Sequence, residues 1–269
     1  MTNTEQPSQS IRPRVVVLCG GSAGARYVLS QLGDVADVCA IVRERLTRRR
    51  RLGMLLRRAR RLGWLHPLDR VLLALYTRLV LHRRAAHCTE VVEVRNAQPA
   101  SYDCPSLDVR SINDPDVVQL LRAIRPDLVV VLGTSIIRHP VLESAPLFVN
   151  LHAGITPLYR GAHGCFWAAA RRDFDNVGVT LHVVDTGIDT GAILEQTRIE
   201  FDPDHDNFVT LLSKAHVASA HTIRSWIQDH AACLAQAPRI DAPAGPSRLY
   251  YSPGIRDYLQ FERSNRKAA

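Results

Sequence analysis

Apolar and polar positions along the chain switch repeatedly between a period of two and a period near four. Arg14 to Cys19 (RVVVLC) is a β-branched run, followed by a glycine-rich turn and the helical stretch Ala25 to Leu32. Val38 to Val42 and Val91 to Val94 read as further strands, and Asp116 to Ile124 reads as a helix closed by Pro126. Leu128 to Leu132 is apolar at every position, which a central parallel strand buried on both faces requires. Phe148 to Leu151, Val177 to Val184 and Ala192 to Glu200 complete the strands. His163 to Arg172 is a helix, and a long helix from about Asn207 to Leu234 closes the alternation. The pattern predicts an α/β fold, a doubly wound and mostly parallel sheet whose ligands lie beyond the carboxyl ends of the strands. Residues 11–236 form the domain on this reading, and the proline- and glycine-rich segment 237–269 is a C-terminal extension wrapped around it.

Segment 43–84 interrupts the alternation. Leu52, Leu55, Ala59 and Leu62 fall at helical spacing, as do Leu68, Leu72, Leu75 and Leu79, with Pro67 placed to start the second run. Two amphipathic helices are expected, with leucines packed on the body and arginines in solvent. Charge sharpens the picture, because 34 Lys and Arg against 26 Asp and Glu leave a net +8 that is unevenly spread. Segment 43–84 carries fourteen arginines against Glu44 and Asp69, a net +12, so the rest of the chain is −4. Since only Lys214 and Lys267 are lysine, arginine preference runs through the whole chain and says nothing about a site. The clustering does, and three anionic partners compete with plain solvation: an acidic substrate, a phospholipid surface or RNA. Trp64 and Tyr76 are too few aromatics to stack single-stranded RNA, so nucleic acid is the weakest of these.

The remaining composition mostly excludes. The six cysteines never form C-x-x-C, so no metal site is expected and a reducing compartment fits. MTNTEQPSQS has no apolar stretch and no run reaches about 18 apolar residues, which predicts a cytoplasmic protein with no spanning helix. The loop Gly20-Gly21-Ser22-Ala23-Gly24 does not fit G-x-G-x-x-G. Its backbone amides at Gly21 and Ser22 suit an anionic group of a substrate, and a tight turn needing small residues explains it equally well. Asn150 and His152 are two apart where an apolar strand ends, so a carboxamide and an imidazole share one face. Asp189 sits between Gly187 and Gly191 in a turn that would present an exposed carboxylate beside that imidazole. On pattern alone, a histidine satisfied within the structure competes with a catalytic one.

The segment N-L-H-A-G-I-T-P-L-Y-R-G from Asn150, followed by G-V-T-L-H-V-V-D-T-G-I-D-T-G, resembles the two-part signature of the folate-dependent formyltransferases. The resemblance spans roughly Arg14 to Leu234 and is specific from Pro126 to Gln196. It implies that Asn150, His152 and Asp189 are the active-site trio. It also implies that 10-formyltetrahydrofolate is bound by Gly133, Ser135, Ile136, Ile137 and Arg138 after the apolar strand and by Thr186 and Gly187, without a metal.

Departures from the family pattern bear on the acceptor amine. The asparagine of the purine enzyme's phosphate loop is missing here, and the position of its late-helix glutamate falls near Ala215. The transfer-RNA enzyme carries a C-terminal barrel domain longer than the 35 residues that follow Leu234. The resemblance then points to a stand-alone enzyme for a small amine, foremost a nucleotide-linked amino sugar. Phosphoribosylglycinamide and methionyl-tRNA are the alternative acceptors, and a silent folate- or anion-binding homologue, or a hydrolase of formyl-folate, are alternative roles. A homodimer and a peripheral contact of 43–84 with the inner membrane face complete the expectations.

Overall fold

Leu128–Leu132 forms strand β4 of a seven-stranded sheet, and none of its residues is more than 5% exposed. The computed structural model describes residues 12–266 apart from 48, 50–52, 54, 55, 58, 61, 62, 64 and 99. Strand β1 (Arg14–Cys19) pairs in parallel with β4 and, on its other edge, with β2 (Asp37–Glu44), which pairs with β3 (Ser106–Val109). On the opposite side β4 pairs in parallel with β5 (Phe148–His152). A two-residue strand β6 (Arg160–Gly161) leaves the sheet, and β7 (Gly178–Val183) and β8 (Ile193–Arg198) return to it antiparallel. The order is β3-β2-β1-β4-β5-β7-β8, so parallel strands end together beside the switch from parallel to antiparallel pairing.

Helices cover both faces, as the apolar strands demand. Helix α1 (Ala23–Ser30) packs on one face through Val28 and Leu29, with Ile223 and Trp226 of the last long helix. The other face is closed by Val117, Leu121 and Val141. The long helix (Phe208–His230) starts where predicted because Asn207 caps it, its side chain accepting from the amides of Val209 and Thr210 at 2.8 and 3.3 Å.

Two expectations fail, each for a packing reason. Val91 to Val94 is not a strand but part of a helix, Thr89–Asn96, because Val91 and Val94, three apart, are buried while Val92 is 42% exposed. The edge strand β3, SLDV, alternates polar and apolar residues over only four positions and is not among the expected strands. In segment 43–84 the described residues from 49 to 60 are helical, and a second helix runs Leu65–Tyr76 into a π turn, Thr77–Leu81. Its leucines are turned the other way from expectation. Leu73 and Leu81 face the body at 4% and 0% exposure, whereas Leu68, Leu72, Leu75 and Leu79 are 45–56% exposed. Leu52, Leu55 and Leu62 lie outside the described residues. The inner side is held by the C-terminal helix Ile255–Arg266, through a tilted ring contact of Tyr76 with Tyr258 at 5.7 Å and the Arg84–Glu262 pair at 2.7 Å.

The glycine loop after β1 is explained by close approach. A Cβ on Gly20 would lie 2.6 Å from the Gly133 carbonyl oxygen, and one on Gly24 would enter the His216 ring. Nothing lies within 4 Å of a Cβ on Gly21. Denaturant unfolding should therefore show Gly20→Ala destabilised by about 1–3 kcal/mol, with Gly21→Ala within about 0.5 kcal/mol of the wild type. Equal stabilities for the two variants would show that the close backbone contact is not what selects glycine at position 20.

Candidate active site

The antiparallel register between β5 and β7 sets the site, placing His182 opposite Asn150 and Thr180 opposite His152. The turn between β7 and β8 then carries Asp189 back across the strand ends, with its backbone in the left-handed region at φ 51°. Its carboxylate is only 13% exposed, not the open group expected from the flanking glycines. Oδ2 accepts the Gly161 amide at 2.8 Å and lies 3.3 Å from His152 Nδ1. Oδ1 lies 3.5 Å from both the Asn150 amide nitrogen and His182 Nε2. The trio Asn150, His152 and Asp189 is thus assembled around one carboxylate.

Carbonyl partners fix the histidine protons, because a carbonyl can only accept. His152 Nε2 donates to the Tyr159 carbonyl at 2.7 Å, which leaves Nδ1 facing Asp189. His182 Nδ1 donates to its neighbour Val183 at 2.8 Å, so its Nε2 accepts from Asn150 at 3.1 Å. Burial pushes the His152 pKa below the ordinary histidine value, against the opposite pull of Asp189 and the Tyr159 carbonyl. For Asp189, burial works upward but is outweighed by the His182 and His152 rings and the Gly161 amide, which hold it below the usual carboxylate range. Thr180 anchors the loop beyond β5, its hydroxyl donating to the Gly154 carbonyl at 2.8 Å and accepting the Thr156 amide at 3.1 Å.

The trio opens into a cavity of about 540 Å³, whose walls also include Gly133, Ser135, Ile136, Ile137 and Gly187. Arg138 and Thr186 are not in its walls; the Arg138 amide is bound to Asn113 Oδ1 at 2.7 Å. Glu44, at the end of β2, shapes the wall: its carboxylate, 7% exposed, accepts the Ser135 amide at 2.7 Å and hydroxyl at 2.6 Å. The extension also contributes, since Leu249–Tyr250 forms strand β9, which pairs with β6 and brings Tyr250 and Tyr251 into the cavity. Sequence reading missed His182, Glu44 and this strand. Only His182 left a signal, being two residues from Thr180 in the alternation of G-V-T-L-H-V.

Ser22 lies elsewhere, in the wall of a second cavity of about 540 Å³ with Arg26, Arg78, Arg95, Phe208 and His216. Its hydroxyl caps α1 by accepting the Ala25 amide at 3.1 Å, and the Gly21 carbonyl accepts from Arg26 at 3.3 Å. His163 packs at a tilt against Phe208, a wall residue of this cavity, with ring centroids 5.0 Å apart.

The sequence profile of the family described as Formyl transferase matches residues 77–225, more than half of the chain. The chain belongs to the formyl transferase family. Among similar proteins, this family member is 34% identical over 154 residues to the methionyl-tRNA formyltransferase of Desulfotalea psychrophila, covering 52% of this chain and 47% of that one. It is 37% identical over 106 residues to the methionyl-tRNA formyltransferase of Chloroflexus aggregans, covering 39% and 34%. The chain therefore spans half or less of the length of these curated relatives. In fold it is similar to a sugar N-formyltransferase from Shewanella, with TM-score 0.54, 14% identity and coverage of 94% and 87%. It is likewise similar to phosphoribosylglycinamide formyltransferase from Bacillus halodurans, with TM-score 0.52, 18% identity and coverage of 82% and 96%.

Burial pushes His163 and His216 down to about 4. An unfolded histidine titrates near 6.5, so below that pH the unfolded chain binds protons that the folded chain refuses until about pH 4. Stability should be complete above about pH 7 and fall as pH drops from about 6.5 toward 4, by roughly 1.4 kcal/mol per pH unit per histidine. Urea unfolding across this range should show the fall, and His216→Asn should lessen its slope by one proton. A flat profile from about pH 6.5 to 4.5 would contradict neutral burial of both rings.

Proposed function

We propose that this chain is a 10-formyltetrahydrofolate-dependent N-formyltransferase that moves a formyl group onto a primary amine, foremost a nucleotide-linked amino sugar. The observation that carries the reading is the convergence of Asn150, His152 and Asp189 in the wall of the first cavity, each of the first two within 3.5 Å of the carboxylate. Its size suits a pterin, and its chemistry does too: Ile136 and Ile137 offer an apolar wall for a flat ring, beside backbone groups of Gly133 and Ser135. When bound, the folate supplies the formyl carbon and leaves with a proton on its nitrogen.

The protein's share follows from its hydrogen bonds. The Asn150 amide is held by His182 at 3.1 Å, while its bond to Asp189 is long, at 3.5 Å, and can be exchanged for donation to negative charge developing on the acyl oxygen. His152, with its proton fixed on Nε2, offers the Nδ1 lone pair to a proton leaving the attacking amine. Asp189, 3.3 Å away, stabilises the imidazolium so formed, and a low aqueous exposure of 6% at His152 strengthens that attraction. On this reading residues 11–236 are the catalytic unit and 237–269 complete the rim. The second cavity, with Ser22 and three arginines, suits an acceptor that bears phosphate.

Sequence similarity to methionyl-tRNA formyltransferases favours a second acceptor, the aminoacylated transfer RNA. An acceptor panel decides between them. With 10-formyltetrahydrofolate present, release of tetrahydrofolate should require an amine and be fastest with a nucleotide-linked amino sugar, slower with phosphoribosylglycinamide and methionyl-tRNA. Asn150→Ala, His152→Ala and Asp189→Ala should each lower kcat by about 10²-fold or more. Near-normal turnover in folded His152→Ala would sink the assignment of the site, and turnover without any amine would make the protein a hydrolase.

A further inference from the structure

The outward side of segment 43–84 joins two properties seldom combined on a solvated surface. Leu65, Leu68, Val71, Leu72, Leu75 and Leu79 form one stripe along the helix and are 45–63% exposed. The same segment carries the chain's strongest positive charge. Arg49, Arg57, Arg60, Arg78 and Arg83 are exposed, and Arg78 sits three residues after Leu75 and seven after Val71, on the edge of the stripe.

No acid of the segment offsets this charge from outside. Its only acids, Glu44 and Asp69, both point inward: Glu44 holds Ser135, and Asp69 faces Arg256 of the C-terminal helix at 3.9 Å. A second copy would bring two segments of net +12 together, so like charges oppose self-association through this face. An anionic bilayer satisfies both properties at once, taking leucine side chains into the headgroup boundary and arginines against lipid phosphates. Among the described residues no helix is long and apolar enough to cross a membrane, so the contact is one of lying on the surface.

We propose that the helix Leu65–Tyr76 and its π turn dock this protein on an anionic phospholipid surface. Thr77, Arg78 and His82 of the same segment line the second cavity, so docking sets that cavity beside the lipid headgroups. An acceptor that enters that cavity then does so at the membrane surface. This last step rests on the second cavity being the acceptor side, whereas docking itself does not.

Vesicle sedimentation without folate or acceptor tests docking separately from catalysis. The full chain should sediment with vesicles containing phosphatidylglycerol, not with pure phosphatidylcholine, and should be released as salt rises. Replacing Leu68, Leu72 and Leu75 together by serine alters only exposed positions, and circular dichroism and thermal unfolding confirm that the variant folds. Its partitioning should fall by about tenfold or more, as should that of a variant with Arg49, Arg57, Arg60 and Arg83 replaced by glutamine. Absence of binding at low salt, equal binding to neutral vesicles, or binding indifferent to the leucines would each overturn the proposal. A dimer in sedimentation velocity that the serine variant splits would assign the face to a second copy instead.

Discussion

A carboxylate taken out of water has to be answered by donors or by charge, and Asp189 is the group around which the site is arranged to supply them. One oxygen is met by the Gly161 amide, and the other faces the Asn150 amide and His182. Each of these partners is placed by a separate part of the fold. Asn150 comes from the last parallel strand, His182 from its antiparallel neighbour, and Gly161 from the loop whose β6 strand is paired by the C-terminal extension. The left-handed backbone at Asp189 is tolerable because these contacts over-determine the turn. The candidate site therefore depends on the change from parallel to antiparallel pairing, which is also where ligands gather in open α/β sheets.

Most of the frame was legible because burial on both faces leaves a strong mark. The runs forming β1 and β4 are apolar at nearly every position, and the Asn207 cap and Pro126 bound their helices in plain view. The helix Thr89–Asn96 was hidden by its valines, whose β-branching suggests a strand while packing uses only Val91 and Val94. Asn150, His152 and Asp189 were visible through a motif. His182 was not, because it becomes Asn150's neighbour only once β7 is known to run antiparallel to β5. Glu44, 91 residues before Ser135, and the extension strand that reaches Gly161 depend on contacts no local pattern records.

The leucine stripe of segment 43–84 failed for the opposite reason. Periodicity marks an apolar side without saying what it meets, and here the body is met by Leu73, Tyr76 and Leu81 instead. The C-terminal helix fixes that choice by packing the Tyr258 ring against Tyr76 and pairing Glu262 with Arg84. One segment thus contributes its inner side to the second cavity and leaves its outer side apolar and cationic.

The ring of His152 reports most directly on the central claim, that a buried Asp189 governs a neutral histidine whose free lone pair faces it. Nitrogen-15 NMR of the imidazole as a function of pH, in the wild type and in Asp189→Asn, measures this. At neutral pH the wild-type ring should carry a single proton, on Nε2, held by the Tyr159 carbonyl. Removing the carboxylate's charge removes the interaction that raises the His152 pKa, so the pKa should fall further in the variant. A doubly protonated ring at neutral pH, or a His152 pKa unchanged by Asp189→Asn, would contradict the account.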